Sequence, residues 1–404
     1  MPPLMLLFAV ACGLAVGNAY YSQPLLDQIA ATFAIDHAAI GVVVTLTQVG
    51  LGLGLLLIVP LGDVLNRRRL VVTQLLAGVA ALVVVGTSSS VAVLLIGMAA
   101  LGAASVVTQV LVAYAAALST PDRRGRAVGV VTSGVVVGIL LARTLAGAIT
   151  ELAGWRAVYL VSAALTLIVA GLLLRVLPRE ERRPQAIPYA RLVRSSVTLL
   201  ATVPLLRVRA VLALLVFAAF TTLWTALVLP LSAPPHSLSH ATIGLFGLAG
   251  AAGALAAVRA GRLADRGLGQ RTTGVALALL LVSWLPIALL DVTLLALVAG
   301  VVLLDLAVQA VHVTNQSMIL AANPEARSRV TAAYMVFYSI GSAAGSIAAT
   351  ATYAAAGWTG VCVQGAAISA LALTFWAATR SAPARACATA SARADRASPA
   401  TSAR

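Results

Sequence analysis

Gly261-Arg262-Leu263-Ala264-Asp265-Arg266-Gly267-Leu268-Gly269-Gln270-Arg271 lies between two long apolar runs, and Leu61-Gly62-Asp63-Val64-Leu65-Asn66-Arg67 lies between two others. Their aspartates stand 202 positions apart (265 − 63). Working outward, Pro121-Asp122-Arg123-Arg124-Gly125-Arg126 is matched by Pro324-Glu325-Ala326-Arg327-Ser328-Arg329 at an offset of 203 (324 − 121). Ala153-Gly154-Trp155 is matched by Ala356-Gly357-Trp358 at the same 203 (356 − 153). Three matches at nearly one spacing, all between apolar runs, mark an internal repeat of half the chain.

The runs themselves read as membrane spans. Of 404 residues, 61% are hydrophobic and 10% charged, against about a quarter charged in a soluble domain. A bilayer core about 30 Å thick needs about 20 apolar residues in a helix rising 1.5 Å per residue. Spans are expected near 4–30, 38–61, 70–88, 91–118, 127–149, 155–177, 209–231, 240–259, 272–290, 292–321, 330–355 and 359–379. The first and fourth exceed what a bilayer requires, so tilt or projecting ends are expected.

Charge orients the spans. Arg67–Arg68–Arg69 follows span 2, Arg123, Arg124 and Arg126 follow span 4, and Arg262, Arg266 and Arg271 follow span 8. Arg327 and Arg329 follow span 10, and the segment after span 6 carries Arg179, Arg182, Arg183, Arg191, Arg194 and Arg207. Every even-numbered span therefore ends on the basic side. By the positive-inside rule those loops and both termini are expected in the cytoplasm of a bacterial-type inner membrane. The repeat and the spans together predict an all-α integral membrane fold of twelve helices in two pseudo-symmetric six-helix bundles, related by a pseudo-two-fold along the membrane normal. The expected division is an N-terminal bundle over 1–177, a cytoplasmic connector over 178–207, a C-terminal bundle over 208–379 and a disordered Ala/Ser/Arg-rich tail over 380–404.

Composition also excludes chemistries. The net charge is +15 and all 27 basic residues are arginine. Without lysine there is no P-loop of the usual kind and no Schiff base. The arginines cluster between spans without interleaved aromatics, which argues against nucleic acid as a partner. The three cysteines show no disulfide or zinc spacing, and no cofactor or metal is expected. A polytopic membrane enzyme is the rival class, but Gly86-Thr87-Ser88-Ser89 reads better as a polar helix end than as a nucleophile turn. A channel would show a filter loop or a charged ring.

At these motifs the chain resembles the major facilitator superfamily, over about residues 4–379. The Gly261–Arg271 loop is similar to that superfamily's loop signature, slightly lengthened, and the Asp63 copy is a degenerate form with Val59 and Asn66 where glycines are usual. Span 5 reads Gly129-x8-Gly138-x3-Ala142-Arg143-x2-Ala146-Gly147, similar to the antiporter motif of the twelve-helix drug–proton efflux branch, with Arg143 in place of a proline. Span 4 has Ile96-Gly97-Met98 where that branch often carries an arginine, and Asn18–Leu25 is similar to the opening helix of bacterial efflux permeases. The resemblance implies a monomeric secondary transporter, not an enzyme, that moves a small organic solute by alternating access with protons as partner. Proton-coupled efflux is the expected direction, and uptake by the same fold is the alternative. The resemblance assigns a conformational latch to Asp63, with Arg67 and Arg68 beside it, and to Gly261, Asp265, Arg266 and Arg271. It assigns a gating face to Gly134, Gly138 and Gly147.

The residues add a coupling site. Arg143 lies deep in span 5, where an arginine near the bilayer centre costs about 2.5–3.5 kcal/mol on insertion scales. Asp305 is the acid well inside a span, and Asp305, Gln309, His312 and Gln316 fall at i, i+4, i+7 and i+11 on one face of span 10. Asp305, His312 and Arg143 are therefore the expected proton-coupling residues. Asn18, Tyr21, Gln23, Gln48, Gln109, Trp224, Gln309, Asn315, Gln316, Tyr334 and Tyr338 are expected to line the substrate cavity.

Overall fold

The computed structural model describes residues 2–120, 124–178, 189–249, 259–323 and 327–380. Its regular elements are all helical, and no strand occurs among the described residues. Eight helices are long and apolar enough to cross a membrane, or nine when the bent pair Pro3–Asn18 and Gln23–Phe33 counts as one span. That 40° bend accommodates the long first span, where tilt or projecting ends were the expectation. One of the eight, Arg329–Thr379, has 51 residues and breaks at Gly357, so it holds the expected spans 11 and 12. Span 2 is the shorter helix Val42–Leu57. Span 8 opens as His240–Leu245 and Phe246–Ala249, and its residues 250–258 lie outside the described set. The tail call, apart from Arg380, lies outside it as well.

The repeat has a structural counterpart at its turns. Gly154 has φ 78° and Gly357 has φ 62°, a region that side-chain-bearing residues enter only with strain. An added Cβ at either would touch nothing within 4 Å. Backbone conformation, not crowding, selects glycine in both Ala-Gly-Trp turns.

Small residues weld spans within each half. A Cβ on Gly134 would lie 2.1 Å from the Ala9 carbonyl oxygen, and one on Gly138 2.3 Å from that of Gly13. In the second half, Gly341 and Gly345 meet Leu214 and Ala218 oxygens at 2.0 and 2.3 Å in the same sense. Spans 1 and 5, and spans 7 and 11, thus pack backbone to backbone, as small residues allow between membrane helices.

The halves meet chiefly at the end opposite the arginine loops. There Gly41 N donates to Thr350 Oγ1 (3.2 Å), Thr350 Oγ1 donates to Ala38 O (3.0 Å) and Thr45 Oγ1 to Ala343 O (3.0 Å), joining spans 2 and 11. Spans 5 and 8 join through Thr144 Oγ1 donating to Gly244 O (3.0 Å). Among the described residues, hydrogen bonds between spans of the two halves lie at this end or at the mid-plane. The molecule is closed at its arginine-poor end.

The segment expected as a loop connector contains a helix, Tyr189–Thr202. No proline interrupts it, and leucines and valines recur along one side of a strongly amphipathic pattern, which favours a helix lying along a surface. Residues 179–188 lie outside the described set.

Candidate functional site

The deepest polar feature joins the halves through one tryptophan. Arg143, 2% exposed, leaves span 5 after Gly138 has brought that span against span 1. Its Nε donates to Gln23 Oε1 at 2.9 Å, and its guanidinium carbon stands 3.7 Å from the centre of the Trp224 ring. Trp224, on span 7, donates its Nε1 hydrogen to Asp305 Oδ1 of span 10 at 3.1 Å. The indole therefore touches both charges: its face receives the cation and its edge serves the carboxylate. A desolvated cation–π contact is worth about 2 kcal/mol. Tyr20 and Phe220 complete the box, with ring centres 5.2 and 5.7 Å from the same guanidinium carbon. A second cross-half contact, Tyr20 Oη to Tyr338 Oη at 2.6 Å, runs beside it.

Two donors here have no protein acceptor: Arg143 Nη2 and Gln23 Nε2, both buried. A buried unpaired donor costs about 1–3 kcal/mol. These two nitrogens can donate to an acceptor atom of a ligand without breaking any existing bond.

A second network stays inside the C-terminal half. His312 Nδ1 lies 3.1 Å from Tyr334 Oη, to which Asn315 Nδ2 also donates at 3.5 Å. Asn315 Oδ1 accepts from Arg209 Nη1 at 3.0 Å, and Thr273 Oγ1 accepts from the same nitrogen at 2.9 Å. Phe217 links the two networks, stacking edgewise on His312 and on Tyr338 with centroids 5.2 and 4.0 Å away. Arg209 is the residue that sequence reading missed. Two positions after Arg207 it looks like the edge of a basic loop, yet it is fully buried. Its helix begins at Pro204, which puts it a full turn inside.

The other expected residues scatter. Gln23, Trp224, Asp305 and Arg143 come together, and Tyr338 joins them through Tyr20. Asn18 and Tyr21 turn into the first bundle: Asn18 accepts from Ser162 at 2.7 Å and Tyr21 stacks edgewise on Tyr159. Gln48 is buried, and Gln109 and Gln309 are half-buried. Gln316 sits by Met335 Sδ at 3.9 Å. The side chains of Asp63 and Asp265 lie outside the described set. Arg67 donates to Gly62 O at 3.4 Å and Arg68 to Leu174 O, both within the first half. Arg266 and Arg271 are exposed, and Gly261 packs near Val313. Of the expected gating glycines, Gly134 and Gly138 face span 1, and Gly147 faces His240 across the halves.

Comparisons with known proteins agree on one family. The chain matches the model of the Major Facilitator Superfamily over residues 6–233 and 210–402. It is 45% identical over 375 residues to the putative uncharacterized transporter YgaY of Escherichia coli K12, covering 93% of this chain and 95% of that protein. It is 34% identical over 380 residues to the probable transporter SCO4007 of Streptomyces coelicolor, covering 94% and 87%. Its fold is similar to that of a bacterial homolog of the human lysosomal transporter Spinster in an inward-facing and occupied conformation. The TM-score is 0.75 at 15% identity, over 93% of this chain and 96% of that one.

Proposed function

The chain belongs to the major facilitator superfamily of membrane transporters, and from that membership we propose that it is a proton-coupled exporter of a small organic solute. In this reading it is a multi-pass protein of the inner membrane, twelve spans long, with the arginine loops in the cytoplasm. The state described above is then closed to the outside.

The observation that carries the reading is the Arg143–Trp224–Asp305 junction. It holds a cation from one half and a carboxylate from the other on a single indole, in a site that lipid cannot reach. When Asp305 is ionised, its charge holds Arg143 and Trp224 in place and the halves are drawn together at mid-plane. When Asp305 takes a proton, that attraction falls and the junction can part. The solute docks where the junction leaves donors free, at Arg143 Nη2 and Gln23 Nε2, against the aromatic walls of Tyr20, Phe220 and Trp224. Antiport in this reading requires that proton and solute exclude each other across the indole: the solute occupies the junction while Asp305 is ionised, and the proton takes Asp305 after the solute has left. Such a pocket suits an aromatic or amphipathic solute with a hydrogen-bond acceptor.

The test is transport in vesicles containing the purified protein. A susceptibility panel in pump-deficient cells first identifies a substrate. Asp305→Asn should abolish movement driven by a pH gradient while leaving exchange of labelled solute for unlabelled solute intact. Full gradient-driven transport by that variant would refute proton coupling at this site.

A further inference from the structure

A second cluster of titratable groups lies across the halves, at the arginine-poor end. His240 is the first residue of its helix, at the arginine-poor end of span 8. Its Nε2 stands 3.0 Å from both Asp27 Oδ1 and Asp27 Oδ2, at the end of span 1. Its Nδ1 is 3.4 Å from Gln28 Nε2. Both side chains keep some water access, 16% for His240 and 18% for Asp27. The next residue continues the joint: Ala241 N donates to Glu151 Oε1 of span 5 at 3.1 Å. Beneath it, a Cβ on Gly147 would lie 2.2 Å from the His240 carbonyl oxygen, so the two backbones already touch.

The charged groups facing His240 are Asp27 from span 1 and Glu151 from span 5, with Arg143 deeper on span 5, packed against Gly244 and Gly247 of His240's own span. The two nearest are acids, and they belong to the half that does not carry the histidine. Three polar joints therefore hold span 8 to the first half at this end, and the one through His240 is the one that changes charge near neutral pH.

We propose that His240 and Asp27 form a proton-operated clasp on the outer gate. With the imidazole protonated, the clasp is a charge-assisted pair across the halves, and without the proton it is an ordinary hydrogen bond. In the closed state both Asp27 carboxylate oxygens stand 3.0 Å from His240 Nε2, a partner that favours the charged imidazole and that parting of the halves removes. The closed state thus holds the proton more tightly than an open state in which His240 faces water. Acid outside favours closure, and that contribution is lost as pH rises through the closed-state value. In an exporter this hastens the return of the empty, proton-loaded carrier after the solute has left. The clasp rests on the orientation given above but not on proton coupling at Asp305.

The experiment reads the gate directly. In a cysteine-free variant, spin labels at Leu152 and Val292, which are 87% and 76% exposed at this end of the two halves, report the outer separation by pulsed dipolar spectroscopy. Between about pH 5 and 8, the range in which histidine titrates, the closed-to-open ratio should fall by about tenfold. His240→Gln keeps a neutral bond to Asp27 and should flatten the response. Asp27→Asn should do the same, and it stands as the second variant if His240→Gln folds poorly. Asp305→Asn should leave the response in place. A pH-independent wild type, or a full response in His240→Gln or Asp27→Asn, overturns the clasp. A response lost only in Asp305→Asn also overturns it, and assigns the effect to the central site.

Discussion

Replacing Gly147 with alanine adds one methyl group at the joint between spans 5 and 8. The new carbon would sit 2.2 Å from the His240 carbonyl oxygen, 2.8 Å from its carbon and 3.1 Å from Ala241 Cα. Real Cβ contacts are essentially never under 3.0 Å, so the backbones must separate by at least 0.8 Å (3.0 − 2.2). Overpacking of this kind costs typically about 1–3 kcal/mol. In the proposed alternation the cost falls on the state closed at this end alone, because spans 5 and 8 would part as it opens. The equilibrium should therefore move toward the open state by about 5-fold to 150-fold. Gly134→Ala and Gly138→Ala introduce clashes just as close, 2.1 and 2.3 Å, but inside one half. Those contacts persist in both states, so these variants should lower the thermal unfolding midpoint without changing the open fraction. Labels at Leu152 and Val292 measure the fraction, and thermal unfolding in detergent measures the stability. An unchanged distance distribution in Gly147→Ala, or an equal shift in Gly134→Ala, would refute the distinction between joints within a half and joints between halves.

Three further outcomes follow from geometry. Trp224→Phe keeps a ring under Arg143 but removes the donor to Asp305, so counterflow should slow by about tenfold or more, the cost of an unsatisfied buried acceptor being about 1–3 kcal/mol. Trp224→Ala should be worse. Asn315→Leu leaves Arg209 with Thr273 as its remaining acceptor among the described residues and should destabilise the protein by about 1–3 kcal/mol, read as a lower thermal midpoint. Gly357→Ala forces alanine to φ 62° and ψ −159° and should cost about 1–3 kcal/mol in the same assay, whereas Gly129→Ala, with nothing within 4 Å of the added carbon, should be neutral.

The sequence is most legible where energy is steep. Burying an arginine in a span is expensive, so Arg143 declares itself, and an acid with amide and imidazole neighbours at helical spacing does the same for Asp305. The repeat is readable because its turns need glycine and its loops need charge. Direction around a helix is harder. Spans 1 and 7 are apolar on nearly every side, so nothing in their pattern says that Asn18 turns toward Ser162 while Gln23, past the bend, turns toward Arg143. Arg209 hides because a basic residue at the start of a span is what a positive-inside loop also produces. The Asp27–His240 pair is separated by 213 positions, and neither residue is unusual alone. An acid at the end of an otherwise apolar first span was the available signal.

The two kinds of seam described above age differently under load. Between spans 1 and 5, carbonyl oxygens rest on glycine carbons. Such a joint has no side chain to rotate and no partner to exchange, so it either holds or breaks outright. Between spans 2 and 11 the joint is made of threonine and serine hydroxyls bonded to backbone atoms. Each hydroxyl can swing to a water molecule as it lets go, so opening proceeds one bond at a time with little left unsatisfied at any step. Uncharged bonds of this kind are also indifferent to salt. The machine thus has rigid levers and a self-lubricating hinge face, and at its arginine-poor rim the proposed His240 clasp adds the fastening that protons would operate.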